Sequence, residues 1–142
     1  MKKALIILLC GLAAIVLLPS STNGTCDSKK LNQQCAALMD NFSLVKFFNI
    51  TDADVKKEYA YMFNKSTTYL INICDENSGD ARMIVNIYRG KQLIASSFSQ
   101  KSKKHYSKIA FPCTATGIYH IKFSFDYGAA TCGVVSLGFK NR

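Results

Sequence analysis

The chain contains no tryptophan and few histidines, and these shortages narrow the functions that it can serve. Its 142 residues include only two histidines, His105 and His120. His120 falls on the polar side of an alternating segment beside Lys122, so a surface position explains it better than catalysis does. A G-x-S-x-G nucleophile elbow and an H-E-x-x-H zinc motif are also missing. The sequence therefore predicts a non-enzymatic protein, and the absence of tryptophan weakens a role in stacking against sugar rings.

Acidic residues are also scarce. Nine Asp and Glu residues stand against 18 Lys and Arg residues. This excess favours anionic partners, although a charge that only keeps the protein soluble is the alternative. The basic residues are spread along the chain with a single cluster, Lys101 to His105, which is typical of a solvated loop. We expect a protein or an anionic glycan as the ligand, and no specific recognition of nucleic acid.

The longest apolar run stands at the N-terminus, over residues 4–18. It follows Lys2 and Lys3 and precedes a polar, helix-breaking stretch, an order typical of a secretory signal peptide. The run is shorter than the roughly 20 residues that span a bilayer; an uncleaved anchor is the alternative. We expect a leader of residues 1–24, cleaved somewhere in 20–24, and a single mature domain of residues 25–142. The processed protein would then lack a transmembrane anchor and would be periplasmic or extracellular.

Removal of the leader takes away Cys10 and leaves an odd number of cysteines. The five that remain are Cys26, Cys35, Cys74, Cys113 and Cys132. In an exported protein these residues are expected to form disulfides, with at least one thiol free or paired between chains. The spacings include no C-x-x-C, and no histidine stands at ligand spacing from a cysteine, so a zinc site is not expected. An unpaired, reactive thiol would support the alternative of a thiol-dependent enzyme or redox protein.

One helix is predicted, over Thr25 to Asn41. Asp27 or Ser28 can cap its first amides. Its apolar residues recur with a period of 3.6 and form one stripe, which we expect to face the core. These residues are Leu31, Cys35, Leu38, Met39 and Phe42.

From Phe42 onward, apolar and polar residues alternate in short segments separated by turn residues. Eight strands are predicted: Ser43–Asn49, Val55–Phe63, Thr67–Cys74, Ala81–Arg89, Gln92–Phe98, Tyr106–Phe111, Ile118–Phe125 and Thr131–Phe139. Their spacing is typical of a β-sandwich, and the alternation is typical of antiparallel sheets with one buried face. The sequence thus predicts an all-β, antiparallel, jelly-roll-like sandwich of about eight strands with one N-terminal α-helix.

The predicted strand order favours one disulfide. In a jelly-roll-like sandwich the loop after Cys74 and the loop before Cys132 lie at the same end, so a Cys74–Cys132 bridge is expected. Cys113 would lie at the other end and could meet the N-terminal segment. A Cys26–Cys35 bridge is the alternative, but it requires Cys26 to stand off the helix, because residues nine apart on a continuous helix are too distant.

The loop of residues 75–80 is rich in oxygen ligands. Asp75, Asn77 and Asp80 are therefore weak candidates for a calcium site. The loop lacks the full ligand series and the distal glutamate of an EF-hand, and a solvated connection between strands is the alternative. No other metal and no cofactor is expected.

Three pieces of strand carry a likeness to a known family. They are Thr68-Tyr69-Leu70-Ile71, then Ile84-Val85-Asn86-Ile87-Tyr88 with Gln92-Leu93-Ile94-Ala95-Ser96, and finally Thr116-Gly117-Ile118-Tyr119-His120-Ile121. Through them, residues 67–125 resemble the bacterial pre-peptidase C-terminal type of β-sandwich, although that group lacks these cysteines. The mature chain is also similar to small exported proteins of unknown function from Bacteroidota-type bacteria. There, a segment like Thr25-Cys26-Asp27-Ser28-Lys29-Lys30-Leu31 opens the domain, and one like Cys132-Gly133 to Leu137-Gly138-Phe139 closes it. The resemblance implies a non-catalytic, jelly-roll-like module.

These observations favour an exported, non-enzymatic β-sandwich that binds a protein or an anionic glycan. The thiol-dependent enzyme remains one alternative. A structural subunit of the cell envelope is another, and its sign would be stable self-association.

Overall fold

The described part of the chain forms one helix and ten strands. A computed structural model describes residues 26–51, 54, 57–75, 82–126 and 132–141, and the predicted leader lies outside them. In chain order the elements are α1 Ser28–Ala37, β1 Ser43–Thr51, β2 Glu58–Phe63, β3 Thr67–Asp75, β4 Arg82–Arg89, β5 Gln92–Ser96, β6 Phe98–Ser99, β7 Lys104–His105, β8 Lys108–Pro112, β9 Gly117–Asp126 and β10 Cys132–Asn141. No helix in the described ranges is long and apolar enough to cross a membrane.

Two four-stranded antiparallel sheets pack face to face. Sheet A has the order β1-β10-β3-β8 and sheet B the order β2-β9-β4-β5, while β6 and β7 form a short separate ribbon. Without the ribbon, the eight long strands counted along the chain run 1-8-3-6 in one sheet and 2-7-4-5 in the other. This is the jelly-roll arrangement. The predicted fold class is confirmed, and each predicted strand overlaps an observed one.

The core lies between the sheets and is built from every second residue of their strands. Tyr119, Ile121 and Phe123 of β9 are all buried, whereas Ile118 just before them and Lys122 between Ile121 and Phe123 are exposed. The members of this core that are fully enclosed include Phe63, Ile71, Val85, Ile87, Ile121 and Leu137. Burial of these side chains supplies the main favourable term for folding.

Strands β3 and β10 are buried on both faces, because α1 covers the outer face of sheet A. Leu31 and Cys35 of the helix pack against Cys74 and Val134. The seven residues 132–138 are consequently all buried, with no alternation. A strand covered on both sides loses the two-residue pattern. The molecule therefore has three layers: the helix, sheet A and sheet B.

Two disulfides fasten α1 to sheet A. Cys26 pairs with Cys132 and Cys35 pairs with Cys74, with Cα–Cα distances of 6.0 and 5.9 Å. The expected Cys74–Cys132 bridge is wrong, although both residues do lie at the same end of the sandwich. Cys74 stands opposite Val134, which makes Cys132 its diagonal neighbour on the same face. Diagonal neighbours in a sheet are about 7–8 Å apart, beyond the usual span of a disulfide, so each thiol bonds to a cysteine of the covering segment instead.

The other two expectations about cysteine pairing are also wrong. Asp27 caps α1 by accepting a hydrogen bond from the Lys30 amide, so the helix begins later than predicted. Cys26 does stand off the helix, as a bridge to Cys35 would require, but it bonds to Cys132. Cys113 does not meet the N-terminal segment, because it follows β8 at the opposite end from Cys26 and remains a buried free thiol.

The chain leaving α1 packs closely on the outer face of sheet A. The side-chain amide of Asn72 donates to the Leu38 carbonyl at 3.0 Å, and the Ser136 hydroxyl lies 3.2 Å from the Met39 sulfur. A Cβ at Gly138 would lie 1.9 Å from the Met39 methyl carbon and 2.9 Å from the Ser43 carbonyl oxygen. Gly138 is therefore required by the close approach of this segment.

We expect Gly138→Ala to destabilise the protein by about 1–3 kcal/mol, because the added methyl overpacks the contact with the Ser43 carbonyl oxygen, a backbone atom that cannot turn away as the Met39 side chain can. Gly117→Ala is the matched control, since a Cβ at Gly117 meets nothing within 4 Å. Urea unfolding followed by circular dichroism measures both. In the Met39→Ala background, Gly138→Ala should still be destabilising, because the close contact with the Ser43 carbonyl oxygen remains. A cost for Gly138→Ala as small as that for Gly117→Ala would contradict this account.

Candidate functional site

Four separate turns and strand ends meet at one end of the sandwich. The β2–β3 turn is joined to the β8–β9 connection, because the Ser66 amide donates to the Cys113 carbonyl at 3.0 Å and the Lys65 amide donates to the Thr116 hydroxyl at 2.9 Å. The β4–β5 turn and the end of β10 lie at the same end, as the strand registers require. Gly90 holds a positive φ of 58° in the β4–β5 turn, a conformation that glycine adopts without strain.

Three of these segments carry cations: the β2–β3 turn, the β4–β5 turn and the end of β10. Lys65, Arg89, Lys91 and Lys140, here called the basic end, are all exposed. No ion pair among the described residues involves any of the four. The one described carboxylate near this end, Asp40 in the turn before β1, is paired with Lys108 at 3.0 Å. The basic end is therefore an unneutralised surface that can attract anions.

The opposite end holds most of the acidic residues. Five of the six described acidic residues lie there: Asp27, Asp54, Glu58, Asp75 and Asp126. Two cations at this end are paired, Lys57 at 2.7 Å from Asp54 and Lys122 at 2.8 Å from Glu58. Hydrogen bonds from Lys57 and Thr51 lower the pKa of Asp54 to about 2. The described carboxylates are thus concentrated at one end of the sandwich, away from the four unpaired cations of the basic end.

An apolar group borders the basic end on the outer face of sheet B, which no described element covers. Met62 lies opposite Ile118, and Leu93 lies opposite Tyr88. These four residues are here called the apolar strip. Met62, Ile118 and Leu93 are 52, 54 and 50 % exposed, the highest values among the large hydrophobic side chains of the described residues. Each residue of the strip is within three positions of Lys65, Arg89, Lys91 or the β8–β9 connection along the chain.

A polar network follows the apolar strip along the same face. Lys122 lies over the Tyr88 ring, 5.2 Å from its centroid, and donates to Glu58. The hydrogen bond from Lys122 lowers the pKa of Glu58, and His120 pairs with the other carboxylate oxygen. His120 is therefore a surface residue engaged by Glu58, as its position in the alternating pattern predicted.

The second histidine borders a cavity of about 330 Å³ near the acidic end. Ile73, Asp75, Met83 and His105 to Ser107 line it. The His105 ring lies 2.9 Å from Asp126, and one Asp75 oxygen accepts the Met83 amide at 2.8 Å. Of the calcium candidates, Asn77 and Asp80 lie outside the described residues. The described ranges contain no group of three or more His, Cys, Asp or Glu side chains that could hold a metal ion. The calcium site stays a prediction.

The free thiol of Cys113 lies beneath the basic end. It is 4 % exposed and donates to the Ala115 carbonyl and the Tyr119 hydroxyl, both neutral groups. Burial raises the pKa of Tyr119, the hydrogen bond with Cys113 adds to the rise, and the Arg89 guanidinium opposes it. A nucleophilic thiolate needs access and a nearby positive group that bonds to it. The surroundings of Cys113 are those of a structural thiol.

The basic cluster noticed in the sequence forms the turn of the β6–β7 ribbon. Lys101, Lys103 and Lys104 are exposed, and the Lys103 ammonium bonds to Gln100 and lies over Phe98. This position agrees with the solvated loop that was predicted. Sequence reasoning missed the basic end, because its cations come from three distant parts of the chain, at Lys65, at Arg89 with Lys91, and at Lys140. The only local signal was that none of the four segments contains Asp or Glu.

No protein-family model matches the chain, and no curated protein matches it. The resemblance to the pre-peptidase C-terminal β-sandwich and to small exported proteins therefore stays a prediction.

Proposed function

We propose that this protein is an exported, non-enzymatic binding module whose basic end holds an anionic glycan. The observation that carries the proposal is the set of exposed, unpaired cations at Lys65, Arg89, Lys91 and Lys140, set apart from nearly all the described carboxylates. Sulfate, phosphate or carboxylate groups of a polysaccharide are suitable counter-charges.

Two features support a location outside the cytoplasm. The two disulfides indicate an oxidising, non-cytoplasmic environment. The apolar run after Lys2 and Lys3 supports export by a cleaved leader. Periplasmic or extracellular residence follows from the two together and belongs to the proposal.

An extended polyanion suits the basic end better than a small anion does. The four cations lie on two turns and one strand end, so they offer several separate, weak contacts along this end of the sandwich. The binding free energies of such contacts add up when one polymeric ligand makes several of them, and each contact is screened by salt. Binding should therefore be strongly dependent on ionic strength.

Replacing all four cations by glutamine should weaken binding to an immobilised sulfated polysaccharide roughly tenfold or more at low salt, since each exposed ion pair contributes about 0.2–1 kcal/mol. The variant is Lys65→Gln, Arg89→Gln, Lys91→Gln and Lys140→Gln. Elution salt and titration calorimetry measure the effect, and an unchanged melting temperature verifies the fold.

The matched control removes four other exposed lysines, Lys29, Lys30, Lys101 and Lys104, and has the same net charge. It should retain most of the affinity of the wild type. Equal losses in the two variants would show that only total charge matters, and the proposal would then be wrong.

A further inference from the structure

The apolar strip is not explained by binding to a soluble polyanion. Met62, Ile118 and Leu93 each expose about half of their side chain on a face where the alternation would place polar residues. Exposed apolar groups that adjoin one another mark surfaces that contact another molecule. The ligand of this end of the sandwich must therefore offer negative charge and apolar material side by side.

We infer that the anionic groups bound by the basic end belong to a lipid surface, and that the apolar strip enters its interface. This inference rests on the proposed function, since the same four cations supply the attraction. Anionic headgroups attract Lys and Arg side chains within a Debye length of the membrane, and apolar side chains gain by entering the boundary between headgroups and acyl chains.

The geometry allows both kinds of contact at once. Met62 directly precedes Phe63 at the end of β2, Ile118 follows Gly117 at the start of β9, and Leu93 follows the β4–β5 turn. The strip therefore occupies the edge at which the outer face of sheet B meets the basic end. A flat surface laid against this edge touches the strip and the turns together.

The charge distribution favours an anionic lipid surface, and not a second copy of the chain, as the partner of the apolar strip. The five acidic residues lie at the opposite end, away from the docked edge, and Glu58, which shares the outer face of sheet B with the strip, is paired with Lys122 and His120, so they would not oppose docking. A symmetric dimer through the same edge would instead bring two unneutralised basic ends together. Like charges brought together across an interface disfavour association.

The test uses the exported protein after leader removal, verified by mass, and large vesicles of phosphatidylcholine with or without phosphatidylglycerol. The strip variant is Met62→Ser, Leu93→Ser and Ile118→Ser. Its matched control is Leu38→Ser, Leu44→Ser and Tyr106→Ser, which alters the three other large, exposed hydrophobic residues of the described chain. Co-sedimentation measures binding to vesicles, and the immobilised sulfated polysaccharide measures binding to a soluble type of anion.

The wild type should bind the vesicles that contain phosphatidylglycerol and should bind pure phosphatidylcholine at least tenfold more weakly. The strip variant should lose about tenfold in binding to anionic vesicles yet keep its affinity for the polysaccharide. The control should match the wild type in both assays. The glutamine variant of the basic end should lose both activities.

Several results would overturn the inference. If the wild type binds the polysaccharide but not the vesicles, a lipid surface is excluded as the ligand and the proposed function is retained. An unchanged affinity of the strip variant for anionic vesicles would show that the strip makes no contact with lipid. A dimer in sedimentation velocity that the strip variant abolishes would assign the strip to a second copy. If the wild type binds neither the vesicles nor the polysaccharide, the proposed function is wrong as well.

Discussion

Replacing Cys26 and Cys132 by serine is expected to lower the melting temperature of the oxidised protein by about 10 °C. The bridge joins residues that are 106 positions apart, so it encloses nearly the whole domain. In the chain-entropy model a loop of that length contributes about 4–5 kcal/mol, and measured values are commonly about 2–4 kcal/mol. For a domain of this size, each kcal/mol corresponds to a few degrees.

The second bridge has a comparable role in the layer between α1 and sheet A. Cys35 and Cys74 are 39 positions apart, and both lie in the apolar contact with Leu31 and Val134. Serine at these two sites would therefore remove the cross-link and also place two hydroxyls in an apolar layer. We expect a loss at least as large as that for the longer bridge.

Thermal unfolding by circular dichroism, with and without reductant, measures both effects. Reduced wild type should melt close to the protein that lacks all four bridged cysteines. A peptide map of the unreduced protein provides an independent control, with Cys26–Cys132 and Cys35–Cys74 as the expected linkages. Melting temperatures that do not respond to loss of either bridge would show that the helix is held by packing alone.

The sequence predicted the eight long strands but not the pairing of the cysteines. The alternation of Tyr119, Ile121 and Phe123 with polar neighbours identified β9 directly, because every second residue faces the core. The pairing of Cys74 depended instead on whether Cys132 stood opposite it or two residues away. That register arises from contacts between distant strands, and no local pattern encodes it.

A similar limit applies between β5 and β8. The segment Gln92–Phe98 was predicted as one strand, but the regular pairing of sheet B ends at Ser96. The Ser97 hydroxyl accepts the Val85 amide, and the Ser97 carbonyl accepts the Tyr106 amide, which turns the chain into the short β6–β7 ribbon. A single serine that bonds in this way ends the strand, and no glycine or proline in the sequence marks the position of the turn.

The basic end was hidden from the sequence for a topological reason. Lys65 and Lys140 are separated by most of the domain, and only the neighbouring positions of β3 and β10 in sheet A bring them to the same end. The clustered lysines 101–104, which the sequence made conspicuous, form an exposed turn of the ribbon. Proximity along the chain was therefore a poor guide to proximity on the surface.

Beneath the basic end, Phe63 is the side chain whose loss should cost the most among single substitutions in the core. Its ring stacks on Tyr69 at 4.1 Å and on Tyr119 at 5.0 Å between centroids, and it is fully buried. Tyr69 in turn accepts the Asn64 amide, and Tyr119 donates to the Ala115 carbonyl. The aromatic stack thus supports two of the turns that carry or adjoin the basic end.

We expect Phe63→Ala to destabilise the protein by about 3–5 kcal/mol, because it removes buried apolar surface and leaves a cavity beside two tyrosines. Met62→Ala is the control: it alters the adjacent residue, whose side chain points to the opposite, exposed face of the same strand, and it should cost under about 0.5 kcal/mol. Urea unfolding with a common slope measures both. Similar losses for the two variants would mean that β2 is shifted by one residue, which would also move the apolar strip away from the basic end.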